Sequence, residues 1–596
     1  MVNRAHGRVG RVFLRFFGKT FSLPGGPGRK SPEKPPGRAA RRVCGLALAL
    51  CLALLEAVPA VAQQAVNSAS PGQIDKRFAV EPTRPMPTGP DMAPTGPAPG
   101  VPDTALGFTV KSLQIQGASI LTDADREMLA DLLVGRELTP ERLNEALAAL
   151  TRLYREKGYS LSRGALQDTD PVAGSVTLRA IEGYIDNIVI EGQVEGSAAL
   201  IESYLRAITG RAPIGNRELE RAVLLVSDLA GATVRPLVEP SETGEGAFNL
   251  VLLMEHRDSS GFVQFDNRGT RFNGRFQLWG GVTLNSPLGF YESVDVRYVT
   301  VTQTEELRFA SLFYRQPLGG DGLVASFAAS HGDSEPGFTL ENLGVENVSL
   351  RFELGLSYPI IRSRSENLYL NGRFTYRDTD SERFEELRLF KDHHRVLGLG
   401  LYYGTRDPWD ADLSASFEIS QGLDAFGASG RDGLNLSRFR GRSDFTKATV
   451  FLSRYQRFWE RVGLYWAARG QWAAHRLLES ELAGFGGSRF GRAYDPSEIL
   501  GDDGVGTEVE LQLDAPAWEP YLTGVTFYGF YDVGATWLKG GLGRQSMASA
   551  GAGLRLGLGA HLYATVEGAQ PLTRPVFAEG SAGDDPRVFF TLRAYY

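Results

Sequence analysis

The chain has 596 residues, a formal net charge of −7 and two cysteines. This length exceeds one ordinary soluble domain, so more than one folded unit is expected. An acidic balance disfavours nucleic-acid binding. Both cysteines, Cys44 and Cys51, lie within the first 62 residues, so the remainder of the chain can form neither disulfides nor thiolate metal sites.

Residues 1–62 have the parts of a secretory signal peptide. A basic region ends at Arg42, an apolar run follows, and small residues ending at Ala62 form a cleavage site. The long basic region indicates either an extended signal or a later start site. A membrane anchor is disfavoured because Glu56 and Pro59 interrupt an already short apolar run. We therefore predict an exported protein.

Residues 63–106 have two different compositions. The first part, 63–80, includes a stretch over 70–78 that could form two helical turns, or could instead be a disordered terminus. The second part, 81–106, contains eight prolines and the tetrapeptide Pro-Thr-Gly-Pro twice. Such a composition predicts an extended, semi-rigid linker with a rise of about 3.1 Å per residue.

Residues 107–257 contain a β-α-α-β-β pattern twice, in a first module (107–183) and a second module (184–257). In the first module Thr122 and Thr139 precede helical periodicity, and Pro140 follows the second of them. Threonine is a favoured N-cap, and proline is favoured at the first helical position. The sequence therefore predicts two α+β modules of one topology.

Residues 258–596 break into about 16 short runs that alternate apolar with polar or small residues, the pattern of barrel strands. The final run places Phe590, Leu592 and the terminal Tyr596 on one face. We interpret that face as a C-terminal barrel signal. A soluble sandwich or propeller is disfavoured, because the polar faces carry charges that a water-filled lumen accepts and a dry core does not.

Three stretches resemble the two-partner secretion translocators, the TpsB family of the haemolysin secretion/activation proteins and the filamentous haemagglutinin transporter. Residues 178–192 resemble the junction of that family's two POTRA domains, and 265–289 resemble its first barrel hairpin. Arg492-Ala493-Tyr494 stands where the family usually has Arg-Gly-Tyr. The resemblance covers essentially the whole predicted mature chain. It implies two POTRA domains followed by an all-β, 16-stranded transmembrane barrel.

The resemblance also implies a lock between a loop and the barrel wall. The loop after the eleventh strand, about 474–505, would fold into the lumen and pair Arg492 with Asp532. A guanidinium and a carboxylate can form a directional, bidentate contact. Ala493 departs from the family pattern and loses a residue that is free to take a positive φ.

The remaining lock residues flank this pair in sequence. Phe490 and Tyr494 surround Arg492. Phe530 and Gly534 surround Asp532 in the sequence Phe-Tyr-Asp-Val-Gly, which matches the family's barrel-wall motif.

By resemblance, the chain is an outer-membrane pore of a Gram-negative bacterium with periplasmic POTRA domains. These domains would bind an unfolded exoprotein, an adhesin, haemolysin or toxin, and pass it outward without nucleotide hydrolysis. The expected partners are this exoprotein and outer-membrane lipid, with no nucleic acid and a monomeric barrel. Residues 63–80 would plug the lumen. The alternative is a barrel-assembly factor of the same superfamily, which usually has more POTRA domains.

No enzyme site, cofactor or metal is expected. His393 and His394 are adjacent, so on a strand they would face opposite sides and could not share a metal. Ser488 lies in a partial nucleophile-elbow pattern that lacks its final glycine. Asp502 and Asp503 are expected to be solubilising loop charges rather than a catalytic pair.

Overall fold

The computed structural model describes residues 69–78, 107–194, 196–384, 387–431, 433–540 and 543–596. The predicted signal peptide and the proline-rich linker lie outside these residues, as does most of 63–80. The first described element is the short helix α1 (Pro71–Phe78). None of the helices within the described ranges is both long enough and apolar enough to cross a bilayer.

The first module has the expected β-α-α-β-β order. Its elements are β1 (Ser112–Gln116), α2 (Asp123–Leu133), α3 (Pro140–Glu156), β2 (Arg163–Asp170) and β3 (Ser175–Ile181). The central strand β3 pairs parallel with β1 and antiparallel with β2. Both predicted caps are confirmed, because the Thr122 and Thr139 side chains accept hydrogen bonds from the backbone N–H groups of Asp125 and Arg142.

A buried tyrosine anchors the second helix of the first module. The Tyr154 hydroxyl donates to a Glu182 carboxylate oxygen at 2.7 Å. Burial, together with this hydrogen bond, raises the pKa of Tyr154 well above its ordinary value. The hydroxyl therefore remains a donor at neutral pH.

The second module repeats the topology. Its elements are β4 (Tyr184–Gly192), α4 (Ala198–Leu205), α5 (Asn216–Ser227), β5 (Ala232–Pro240) and β6 (Ala247–His256), with the sheet order β4-β6-β5. The first module is joined to it by backbone and side-chain contacts. Asn216 Oδ1 accepts from both the backbone N–H and the hydroxyl of Ser160, at 3.0 and 2.6 Å.

The rest of the chain forms a closed barrel of 16 strands, in which each strand pairs with its neighbours in sequence. Two short strands, β18 and β19, lie in the loop between the eleventh and twelfth barrel strands. In chain order the strands are β7 (Ser259–Asp266), β8 (Gln277–Asn285), β9 (Ser293–Val301), β10 (Arg308–Leu318), β11 (Leu323–Ser334), β12 (Val345–Arg362), β13 (Glu366–Arg383), β14 (Leu387–Arg406), β15 (Ala411–Gly422), β16 (Thr446–Trp459), β17 (Val462–Ala473), β18 (Ala483–Phe485), β19 (Ile499–Gly501), β20 (Asp503–Ala515), β21 (Leu522–Trp537), β22 (Arg544–Leu558), β23 (Leu562–Pro571) and β24 (Arg587–Tyr595).

The barrel wall is apolar outside and polar inside. Leu354 and Leu399 are exposed on the outer face, whereas Arg377 and Glu510 are buried on the inner one. This arrangement is typical of a transmembrane barrel whose lumen holds charged groups. It confirms the predicted fold class of α+β modules followed by a 16-stranded barrel.

The last strand closes the barrel against the first. β24 pairs antiparallel with β7, and the backbone N–H of Tyr596 donates to the Gly261 carbonyl at 3.1 Å. Phe590 packs near Phe265 with 5.6 Å between ring centroids, and Leu592 is exposed on the outer face. That these terminal residues also act as an assembly signal stays a prediction.

The second module is fixed to one end of the barrel, called the module end here. Arg362, at the end of β12, donates two hydrogen bonds to the Asp228 carboxylate, each at 2.8 Å. The guanidinium of Arg221 donates to the Pro359 carbonyl at 2.7 Å. The opposite end, called the far end, is where the loop between β17 and β20 begins.

Candidate functional site in the barrel lumen

The loop between β17 and β20, residues 474–502, folds into the barrel and is called the lumen loop. It contains a short 3₁₀ turn (Glu479–Glu481) and the hairpin formed by β18 and β19. Most of its side chains are buried, including those at 490–495. Apolar packing against wall residues such as Phe530 and Met547 positions it together with hydrogen bonds and ion pairs.

Arg492 lies at the centre of the lumen loop's contact with the wall. Its Nε and Nη2 atoms are each 3.3 Å from an Asp532 carboxylate oxygen. The backbone N–H groups of Gly491 and Arg492 also donate to Asp532 Oδ2, at 3.2 and 2.9 Å. Asp532 is fully buried. The structure thus brings together the two residues that the resemblance pairs, through side chain and backbone.

Arg492 has more partners than the expected single carboxylate. Its Nη1 donates a short hydrogen bond to Glu510, and Glu508 and Glu567 lie 3.6 and 3.7 Å away. Arg492 and these four acids, Asp532 included, form what we call the Arg492 cluster. The contact is therefore larger than the predicted pair, since one guanidinium faces four buried carboxylates.

Neighbouring groups offset part of this negative charge. Arg555 donates two hydrogen bonds to Glu510, at 2.7 and 3.0 Å, and Arg268 donates to Glu567 at 2.6 Å. The Arg492 guanidinium also lies over the Phe530 ring, 3.8 Å from its centroid. Buried carboxylates of this kind are stable only with such cationic and hydrogen-bonding partners.

The other residues of the predicted lock lie around the same cluster. The Tyr494 hydroxyl donates to the backbone carbonyls of Ala548 and, at the longer distance of 3.2 Å, of Arg574. The Phe490 ring packs edge-on against Phe485 of β18 at 6.0 Å. Gly534 leaves room for the Phe485 side chain, because a Cβ added at position 534 would lie 3.3 Å from it.

Ala493 does not restrict the loop as its substitution for glycine suggested. The positive φ angles in this stretch belong to Phe490 (52°) and Gly491 (120°), not to Ala493. Ala493 is fully buried, and its carbonyl accepts from Arg587 Nη1 at 2.8 Å. A Cβ at position 493 is therefore compatible with the loop backbone.

The helix α1 also lies in the lumen. Its apolar residues Ile74 and Phe78 are buried, and the Phe78 ring packs against Trp279 and Phe309 of the wall, at 4.9 and 5.5 Å. On its polar side, the Gln73 amide donates to the Glu479 carbonyl of the lumen loop at 2.8 Å. The helix thus contacts both the wall and the lumen loop.

A second buried arginine joins the helix, the wall and the lumen loop. Arg377 of β13 donates to Asp75 of α1 at 3.2 Å and to Glu481 of the lumen loop at 2.7 Å. Lys447 of β16 also donates to Glu481. We call these four residues the Arg377 cluster. All of them are nine-tenths or more buried.

Asp502 has a different place from the one expected. It is fully buried rather than a solvated loop charge, and both of its carboxylate oxygens accept from Arg438, at 2.8 and 3.1 Å. It also accepts from the backbone N–H groups of Leu477 and Lys539, at 2.6 and 2.8 Å. The expectation of a solubilising charge is wrong for this residue, because Asp502 ties three far-end loops together.

The adjacent histidines have separate partners. His393 Nδ1 lies 2.8 Å from Asp378, whereas His394 Nδ1 lies 3.2 Å from the Ser480 hydroxyl of the lumen loop. Within the ranges that the structure covers, no group of three His, Cys, Asp or Glu side chains is placed to hold a metal ion.

The sequence matches known protein-family models in two regions. Residues 249–556, more than half of the chain, match the model of the haemolysin secretion/activation protein ShlB/FhaC/HecB. Residues 108–183 match the ShlB-type POTRA domain.

Individual relatives extend this likeness over most of the chain. The outer membrane transporter CdiB of Dickeya dadantii is 23% identical over 72% of this chain and 76% of its own length. The haem/hemopexin transporter protein HuxB of Haemophilus influenzae is 21% identical over 78% of this chain and 84% of its own length.

The solved structure of CdiB from Escherichia coli shares the fold. It aligns with a TM-score of 0.69 at 22% identity, covering 85% of this chain and 94% of that one. The family match and the geometry of the modules and barrel together assign the chain to one family. It belongs to the haemolysin secretion/activation proteins of the ShlB/FhaC/HecB type, the transporters of two-partner secretion.

Proposed function

We propose that this outer-membrane transporter captures an unfolded exoprotein on its first POTRA domain and passes it through the barrel after α1 leaves the lumen. The modules lie in the periplasm, and the far end of the barrel faces outward. The observation that carries the proposal is the position of α1, whose side chains contact both the wall and the lumen loop. The assembly-factor alternative has no separate observation in its favour among the described residues.

The first requirement is a free sheet edge for the exoprotein, and three of the four module edges are unsuitable. β5 contains Pro236 and ends at Pro240, and proline removes the donors that edge pairing needs. The β4 carbonyl of Ile185 already accepts from Gly210. On β1, the Arg126 guanidinium donates to the Ile115 carbonyl at 3.2 Å.

The remaining edge, β2 of the first POTRA domain, suits β-augmentation. It is eight residues long and contains no proline. Near its start the Gly164 N–H donates to the Thr151 hydroxyl at 3.0 Å, which leaves the later part of the strand for pairing. Main-chain pairing along such an edge gives affinity with little sequence demand. We therefore place exoprotein capture on β2.

A proline placed at Gln167 tests this assignment. The register between β2 and β3 skips this residue, so it is a bulge where proline is tolerated. Gln167→Pro should weaken exoprotein binding at least about tenfold, because a proline within β2 disturbs the edge with which the exoprotein would pair. Gln167→Ala is the matched control and should bind normally, because it changes only a side chain. Equal binding by both variants and the native protein would contradict capture on β2.

The second requirement is that α1 blocks the pore and can leave it. Deleting residues 63–80 should raise the single-channel conductance in planar bilayers several-fold, because the helix α1 no longer occupies the lumen. The barrel should still insert, since its strands do not include this segment. An unchanged conductance in an inserted barrel would exclude α1 as a plug.

A further inference from the structure

Asp75 of α1 occupies a site on the barrel wall that is built for a carboxylate. The Ser330 hydroxyl donates to Asp75 Oδ1 at 2.6 Å, and Arg377 Nε donates to Oδ2 at 3.2 Å. A second guanidinium, that of Arg351, lies 3.9 Å from the same oxygen. The Asp75 side chain is only 1% exposed. Three neighbouring strands, β11 to β13, therefore supply one hydroxyl and two cations to one carboxylate.

These wall groups keep their charge when α1 leaves. Arg377 and Lys447 both pair with Glu481 of the lumen loop, and Arg351 pairs with Glu353 at 2.6 Å. Glu353 is shared with Arg373, which also pairs with Glu418, so four cations would then face three carboxylates in this part of the wall. An unbalanced positive charge on the wall of a narrow pore attracts anions, although water that enters the vacated lumen screens part of this attraction. Departure of the helix therefore leaves a site that attracts a replacement carboxylate.

Two further hydroxyl side chains are placed beside the site. Ser349 and Thr379 lie opposite each other in the register of β12 and β13, and both are buried on the lumen side. Hydroxyls of this kind can donate to a carboxylate oxygen in several orientations. The site therefore does not depend on the exact backbone that Asp75 provides.

We propose that Ser330, Arg351 and Arg377 form a binding site for Asp or Glu side chains of the exoprotein in transit, and that Asp75 is its resting occupant. This inference rests on the proposed function, in which α1 leaves the lumen. An acidic segment that enters the barrel exchanges with Asp75, so the same cations that hold the helix also receive the cargo. Acidic segments thereby lower the free-energy cost of displacing the helix.

The test uses the full chain opened by a point substitution. A Cβ added to Gly72 of α1 would overlap Ser480 Cβ of the lumen loop, so Gly72→Leu should displace the helix without removing a charge. Two peptides of equal length, one with four Glu and one with four Gln in a Gly/Ser background, are added to the module side of planar bilayers. The Glu peptide should block the current at a concentration about tenfold lower than the Gln peptide.

Substitutions in the opened chain locate the effect. Arg377→Gln should abolish the preference for the Glu peptide. Arg388→Gln, a matched change of a half-exposed arginine on β14, should keep it. Ser330→Ala, which removes one donor, should reduce the preference a few-fold, and it serves if Arg377→Gln does not assemble.

Each outcome decides a separate point. If neither Gly72→Leu nor deletion of residues 63–80 raises the conductance, the plug in the proposed function fails. If the pore opens but both peptides block equally, the carboxylate site is overturned while the plug stands. The site is also overturned if the preference survives Arg377→Gln.

Discussion

The lumen contains two buried arginine clusters that differ in how many chain segments they join. The Arg492 cluster joins the lumen loop to the wall strands β20, β21 and β23, with four carboxylates around one guanidinium. The Arg377 cluster joins three parts, the wall, the lumen loop and α1. The first cluster can therefore hold the loop whether or not the helix is present, whereas the second changes its partners when the helix leaves.

The largest expected effect comes from removing the central cation of the Arg492 cluster. Arg492→Ala leaves buried carboxylates without their shared partner, which costs about 3–5 kcal/mol of loop–wall stability. Exoprotein secretion should fall at least about tenfold while the barrel still assembles. Secretion into the medium and heat-modifiable migration of the barrel measure the two effects.

The matched control for this change is Arg489→Ala in the same loop. Arg489 is exposed, so its removal should leave secretion close to normal. If both variants secrete normally, the Arg492 cluster has no role in transport.

The next largest effect should come from displacing the helix by sterics alone. Gly72→Leu should raise single-channel conductance several-fold and leave the Arg492 cluster intact, because that cluster contains no atom of α1. Gly244→Leu is the control, since a Cβ there meets no atom within 4 Å. A loss of the lumen-loop contacts in Gly72→Leu, measured as thiol labelling of a cysteine placed at the fully buried position 493, would show that the two clusters are not independent.

A smaller effect separates the clusters energetically. Double-mutant cycles in denaturant unfolding should give a coupling of about 2 kcal/mol for Arg492 with Asp532 and about 1 kcal/mol for Arg377 with Asp75. The first pair has two side-chain contacts and added backbone donors, whereas the second has one contact at 3.2 Å. Equal couplings would contradict the structural difference between the clusters.

The smallest effect is expected at the edge of the Arg492 cluster. Glu567 lies 3.7 Å from Arg492 but accepts hydrogen bonds from Arg268 and Tyr528, at 2.6 and 2.9 Å. Glu567→Gln keeps one acceptor oxygen, for Arg268, and its amide N–H can instead donate to the Tyr528 hydroxyl, so the change should cost only about 1 kcal/mol. Secretion by this variant should be near normal, and a loss as large as that of Arg492→Ala would show that all four carboxylates act as one unit.

The sequence allows the Arg492–Asp532 pair to be predicted because each residue stands in a local motif. It could also have indicated two of the missed carboxylates, since Glu508 and Glu510 alternate with apolar residues and so face the same side of β20. Glu567 has no such local signal. Its contact with the loop depends on where the closed barrel places β23 relative to Arg492.

The Arg377 cluster could not be predicted from the sequence. Asp75 and Arg377 are 302 residues apart, and their contact exists only because α1 lies inside the closed barrel. The burial of Asp502 could not be predicted for a related reason, since its hydrogen-bond donors come from three separate loops. Periodicity determines which face of a strand a residue occupies, but not which distant segment meets that face.

Asp502 has a thermodynamic consequence for the outer mouth of the pore. If each of the three far-end loops were held by its own separate contacts, each loop could fluctuate independently of the others. Because they share one buried carboxylate, opening any one of them exposes or unpairs the groups of the other two. The fluctuations of these loops are therefore coupled, and we expect the outer mouth to open as a single cooperative unit.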